Sequence, residues 1–552
     1  MMRNWLAFTA LLILLIPAVS ASLTDCAPSA HLLSGMSSGD GSWARDTGDA
    51  SACAMPSLVP PDINTGPTIA DFGSCEQVIT GKGNYNLSAD LNCGTEENGL
   101  YFFKNASGST LDCHGYAIHG DNGTVGVYLG GATKITLKNC TVDNFAIGVW
   151  FDSASKNTLT GFNISNGQYG LLMSNASGET ITHLLATNNT LGIATETVSK
   201  SKFTTIDTSG NLIGIDILSS PSNTFKAVNV SGNGAGLLLD SSPKSAFTNL
   251  IANDNIDGNG ITLSNTTSST FKIVTAENNA GNGMYLLTSS SKNKFTGANT
   301  SGNTFPGIYV WESNSNTFTT IISNDNSDVG VVIDTATKNT FKGITVLDNT
   351  NGSGIAMYDS NSTSIKTINA SGNNGNGLYL VDSSQNKFDH VAANLNVYPG
   401  IFLTDSHRNT FKTVTASQNN DAGVWIEFSE KNSFMQVIAN ENAASGFVLD
   451  DATNTTLKSG TVANNTGNGM YLISESTGNT IQSNKFLENG VPGLYFNDTS
   501  GLNTVRKNKI CLNGFGDIYA ESAQKPSAGS TGDNTCDDCT GDATICPCAT
   551  AC

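Results

Sequence analysis

Between Leu111 and Val505 the apolar residues of the chain keep one repeating phase. With Phe225 of NTFKAVNVSGN as the phase marker, the equivalent positions are Leu111, Ile135, Leu159, Ile181, Phe203, Phe225, Phe247, Phe271, Phe295, Phe318, Phe341, Ile365, Phe388, Phe411, Phe434, Leu457, Ile481 and Val505, spaced 22 to 24 residues apart. Apolar side chains recur three and five residues after the marker, as in Phe271, Val274 and Ala276. About twelve residues after it, a Gly leads an apolar–x–apolar triplet, as in GMYL from Gly283 and GIFL from Gly400. Alternation over such short runs is a strand signal, and the Gly and Asn-Ser punctuation supplies turns. A fixed period of this size means stacked units, each unable to bury its apolar face alone, and not one globular core. The pattern predicts an all-β parallel solenoid of about 18 coils. Each coil has room for three short strands and none for a helix. At a strand spacing of about 4.8 Å the rod would be roughly 85 Å long.

A polar position keeps the same phase. Eight residues after the marker, Asn occurs in fifteen consecutive coils, from Asn189, Asn211 and Asn233 through Asn303 and Asn373 to Asn489 and Asn513. One carboxamide carries a donor and an acceptor, so each side chain can bond to the coils on either side and fix their register. Asn also tolerates the left-handed backbone of a sharp turn.

The ends differ from the middle. Residues 1–21 pair Arg3 with the apolar run WLAFTALLILLIPAV and end in small residues, the pattern of a secretory signal with no membrane span left after cleavage. Residues 22–70 read as a Pro-, Gly- and Ser-rich lead-in, 71–120 as an N-terminal cap and first coil, 121–520 as the solenoid, and 521–552 as a Cys-rich tail. Open-ended stacks need caps, and the cysteines lie where caps belong. Cys26 and Cys53 precede Cys75, Cys93, Cys113 and Cys140 near the start, and Cys511, Cys536, Cys539, Cys546, Cys548 and Cys552 close the chain. In an exported protein these predict disulfides whose pairing the spacing leaves open. The formal charge of −19 opposes nucleic acid, which needs clustered Lys and Arg.

The phrases STLDCHGYAIHG and TKITLKNCTVDNFAIGVW, followed by reiterated N-T-F/I and G-I-Y-L, resemble the right-handed parallel β-helix repeat family of the pectin-lyase-like class. Within it the chain most resembles the NosD-type periplasmic and surface proteins, over about residues 75 to 520. The resemblance implies the right-handed coil. It also implies a range of activities: polysaccharide lyases, hydrolases and epimerases, a copper-site maturation factor, and surface proteins without catalysis. Fold likeness alone does not choose among them.

Candidate sites follow from the strand alternation. In GMYL the flanking residues point inward and Tyr285 outward. The same slot holds Tyr309, Tyr379, Phe402, Trp425, Tyr471 and Tyr495, after Tyr128 and Trp150 earlier in the chain. Such a row can stack from coil to coil and can offer a platform to sugar rings. Beside it, Asp334, Asp359, Asp382, Asp405, Glu427 and Asp450 occur in six consecutive coils. They would either cap their own turns or hold Ca²⁺, the only cofactor the sequence suggests. The coil TDSHRNTF supplies the one catalytic candidate, Asp405 with His407 and Arg408, an acid, a base and a cation suited to β-elimination from a uronic acid or its epimerisation. Yet His407 aligns with Ser384, and Arg408 with a turn slot elsewhere held by Lys, so a surface-turn role is the simpler expectation. The scattered His and Met residues do not gather into copper ligands. Sequons at Asn163, Asn229, Asn299 and Asn369 share one outward strand position, where glycosylation is expected. These observations together predict an exported, secreted, periplasmic or cell-surface protein. Its aromatic and acidic face would contact a glycan or a cell-envelope component. A polysaccharide lyase or epimerase is the alternative reading, and NosD-like copper delivery a further one.

Overall fold

The computed structural model describes residues 72–497, 499–521, 533–537, 539–541 and 548–552. The expected signal and lead-in, with Cys26 and Cys53, lie outside the described residues, as does Cys546. Cys539 and Cys548 are described only as backbone, in Cys539–Gly541 and Cys548–Thr550.

The apolar repeat winds the chain into a parallel β-solenoid of about 19 turns. Pairing starts where Gln77–Ile79 lies against Leu100–Phe103 and continues to Asn534–Cys536 against Cys548–Thr550. Consecutive coils lie in register with Phe271 opposite Phe295 and Phe295 opposite Phe318. The phase assignment needs one correction. Leu111 pairs with Leu137, and Leu137 with Leu159, so Leu137 and not Ile135 is the marker of that coil. The early coils are therefore unequal in length, and a regular count through them slips by two residues.

Three separate strands were expected in each coil, but most coils show two. The marker strand runs through a bend, as in Thr270–Thr275 and Thr410–Thr415. At the bend the residue two after the marker takes a left-handed conformation: Ile273 (φ 56°), His390 (φ 56°), Thr413 (φ 56°) and Gln436 (φ 55°). One residue there reverses the side-chain alternation, so the next apolar residue faces the interior again. Near the C-terminal end the bend divides the strand into Thr456–Lys458 and Thr461–Ala463, with Ser459 at φ 58° between them.

Inside the rod, Phe203, Phe225, Phe247, Phe271, Phe295, Phe318 and Phe341 form a parallel stack with ring centroids 4.4–4.9 Å apart and planes within 10°. The coil rise itself sets this spacing. Each pair contributes about 0.5–1.5 kcal/mol beyond burial. Ile365 interrupts the stack, which resumes at Phe388, Phe411 and Phe434.

The Asn file is continuous and buried. From Asn189 to Asn489 each backbone N–H donates to the side-chain oxygen of the Asn one coil later, at 2.8–3.2 Å. The side-chain nitrogen donates to turn carbonyls, as Asn303 does to Thr300 at 2.8 Å and Ala276 at 3.1 Å. At a corner the backbone leaves the strand ladder, and these side chains pair the amides that it frees.

Two further files do the same work. One runs through the Asn of the N-T-F phrases, with Asn386 N–H bonded to Asn409 and Asn409 N–H to Asn432, both at 2.8 Å. The other is a Ser file in which Ser360, Ser383 and Ser406 donate N–H to Ser383, Ser406 and Ser429 at 2.9–3.0 Å.

Disulfides lie near both ends: Cys75–Cys93, Cys113–Cys140 and Cys511–Cys552. Cys536 is disulfide-bonded as well. No helix among the described residues is long and apolar enough to cross a membrane.

Candidate functional site

The second strand of each coil carries the aromatic slot. Register places Tyr285, Tyr309, Val332, Ala356, Tyr379, Phe402, Trp425, Val448, Tyr471, Tyr495 and Tyr519 in a single file. Val332 with Ala356, and Val448, divide it into three groups. Tyr285 stacks on Tyr309 at 5.2 Å, and Tyr379 on Phe402 at 5.6 Å with Trp425 edge-on to Phe402 at 6.0 Å. Tyr471 meets Tyr495 edge-on at 5.0 Å, and Tyr495 stacks on Tyr519 at 4.9 Å.

Most of these rings are half-buried, but Tyr285 is only 3% exposed and offers little surface. The earlier Tyr128 and Trp150 are buried too, packed with Tyr101 in a separate apolar cluster. Two members of the face escaped the sequence pattern. Tyr519 follows Gly516 and Asp517 where the triplet normally follows Gly directly. Tyr358 stands two residues past the slot and meets Tyr379 edge-on at 6.0 Å.

The polar tips of the row are tied to carboxylates. Tyr309 Oη donates to Asp334 one coil later at 2.9 Å, and Tyr495 Oη donates to Glu521. Burial, then the neighbouring Asp334, pushes the Tyr309 phenol upward. Burial and the nearby Tyr379 push Tyr358 up to about 12. The phenols thus stay protonated donors. The Trp425 indole N–H is buried and has no partner among the described residues. At the C-terminal end a groove of about 470 Å³ opens beside the file, with Tyr471, Tyr495 and Tyr519 on one side and Pro492 and Phe515 among its other lining residues.

The six acids do not form one column. Asp334, Glu427 and Asp450 sit two residues after the aromatic slot and are half-buried. Asp359, Asp382 and Asp405 sit one residue further on, exposed, at left-handed turn positions (φ 45–49°). Only the first three flank the rings directly. Glu427 is raised above its ordinary value, first by burial, then by Asp450 and Asp405.

Asp405, His407 and Arg408 occupy a turn. Arg408 is exposed with φ 58°, the conformation of Lys338 (φ 59°) and Lys431 (φ 58°) in the same turn position. His407 Nδ1 accepts the Glu430 backbone N–H at 3.0 Å, while the His407 backbone N–H donates to Ser384 Oγ at 2.9 Å. The imidazole therefore fills a place in a coil-to-coil ladder that Ser384 and Asn361 fill earlier. A ring nitrogen committed to that bond is not free to accept a substrate proton.

A His–carboxylate pair lies in the first coils, where His119 Nδ1 faces both oxygens of Asp143 at 2.9 and 3.0 Å. Nearby, Lys138 pairs with Asp112 at 2.8 Å. Burial opposes ionisation of Asp112, but its bonds to Lys138, the His114 backbone and Asn139 outweigh this and hold its carboxyl down at about 2. The sequon positions Asn163, Asn229, Asn299 and Asn369 do share one file. Asn163 and Asn369 are exposed, while Asn229 and Asn299 bond to Asp207 and Glu277. Asp517, Asp537 and Cys552 cluster closely enough to hold a cation, but the Cys552 sulfur is bonded to Cys511.

A family model described as "Right handed beta helix region" matches residues 125–271, 203–321, 301–434 and 394–531. No curated protein matches the chain in sequence. Among solved structures it is similar to a mutant of the periplasmic alginate epimerase AlgG at 11% identity, over 56% of this chain and 78% of that one, with a TM-score of 0.34. It is also similar to the A-module of the mannuronan C-5 epimerase AlgE6 of Azotobacter vinelandii, at 13% identity over 68% and 90%, TM-score 0.30. Tailspike protein 3 of bacteriophage CBA120 aligns at 11% identity over 76% and 56%, TM-score 0.27. Likeness at these identities is one of fold.

Proposed function

The chain belongs to the right-handed β-helix family, whose rigid coils leave function to surface residues, and we propose that it is an exported, non-catalytic surface protein that contacts glycans. The observation that carries this reading is the aromatic file from Tyr309 to Tyr519, held in register by the coils, with phenol tips fixed on Asp334 and Glu521. Half-exposed rings repeating at the coil spacing suit a chain of sugar rings lying along the rod. Terminal disulfides fit an oxidising compartment.

Co-sedimentation with insoluble polysaccharides tests the proposal. The protein binds without releasing product, and Trp425→Ala or Phe402→Ala weakens binding roughly three- to tenfold, the worth of one lost ring contact. Release of unsaturated uronate products, abolished by Arg408→Ala, would overturn it in favour of a lyase centred on the Asp405 turn.

A further inference from the structure

Charge is segregated around the coil. In every coil between residues 168 and 521, the segment from the turn after the Asn file to just beyond the aromatic strand contains no Lys, Arg or His; residues 305–312, 328–335, 398–405 and 421–428 are examples. The cations fall instead on the bent marker strand or the turn leading into it, as Lys338, Lys342, Lys366, Arg408 and Lys412 do. Carboxylates have no such restriction. Asp334, Glu427 and Asp450 flank the rings on one side, and Asp328 and Asp421 lie in the turn before the strand on the other.

A ligand on the aromatic file therefore meets the outer edges of stacked rings and negative charge, with no cation to receive an acid group. A polyuronate brings a carboxylate on each sugar and would be repelled by the carboxylates of Asp334, Glu427 and Asp450 beside the rings. A neutral chain avoids that repulsion, and an amine-bearing one turns it into attraction.

Building on the glycan-contact reading above, we infer that the polysaccharide recognised by the aromatic file carries neither carboxylate nor sulfate, and that free amines on its sugars tighten binding. The full chain is presented to insoluble cellulose, chitosan and polygalacturonate in EDTA, which prevents Ca²⁺ from bridging two carboxylates. Chitosan retains most protein, cellulose less and polygalacturonate none. The variant Tyr379→Ala/Trp425→Ala loses about tenfold on cellulose at unchanged net charge, which unspecific charge attraction would not produce. A second variant, Glu427→Gln/Asp450→Asn, loses part of its preference for chitosan over cellulose. Retention on polygalacturonate in EDTA equal to that on cellulose would overturn the inference and leave glycan contact standing. An unchanged chitosan preference in the second variant would likewise overturn the role given to the acids. Failure to bind all three polymers would remove the glycan reading itself.

Discussion

Glu179 is the one carboxylate in an interior file whose other members include Asn157, Ser201 and Asn223. It is fully buried, and its side chain accepts the Asn157 backbone N–H at 2.6 Å, while its own N–H donates to Ser201 Oγ at 3.1 Å. Burial raises its carboxyl from 4.5 to about 7, and the bonds from Asn157 offset only part of that rise. The folded state therefore holds a proton that the unfolded chain releases between pH 4.5 and about 7. Below that window both states are protonated and the site costs nothing. Through it, stability falls as pH rises, and above it the full cost of about 3 kcal/mol applies. Glu179→Gln keeps an acceptor for Asn157 and cannot ionise. The variant should match the parent at pH 4.5 and exceed it by about 3 kcal/mol at pH 8. Urea unfolding across this range measures the difference. Hydrogen exchange of peptides spanning residues 157–203 reads the same coils locally, which matters because stacked repeats can open a few coils at a time. Parallel pH profiles for parent and variant, or a variant less stable at pH 8, would refute the reasoning.

Asn303→Ala strips two donors of Asn279 and the carbonyls of Thr300 and Ala276 of their partner. It should cost about 2–4 kcal/mol, and an unchanged urea midpoint would show that the Asn file is not structural. Cys140→Ser opens the 27-residue loop closed by Cys113, which should cost about 3.5 kcal/mol and raise exchange first in the N-terminal coils. Exchange rising uniformly along the rod would contradict that.

The sequence by itself determined the solenoid, because in a stack one spacing along the chain becomes one direction in space. Phe225, Phe271 and Phe318 needed only their common phase to be placed in one stack, and Asn233, Asn303 and Asn373 to be placed in one file. The aromatic row was legible for the same reason. What the tertiary structure decided depends on single-residue offsets and on what covers a side chain, and neither is periodic. Ile273, His390 and Gln436 give no local sign that they bend the strand, because stacking between coils imposes the left-handed conformation on whichever residue stands there. One residue separates Asp382 in an exposed turn from Glu427 beside the rings, although both read as the acid after the triplet. The fold also buried Tyr285 and left Trp425 half-exposed, and it occupied His407 Nδ1 with a backbone amide from the next coil. Spacing along the chain sets which residues align; the path of the neighbouring coil sets which of them can meet a ligand.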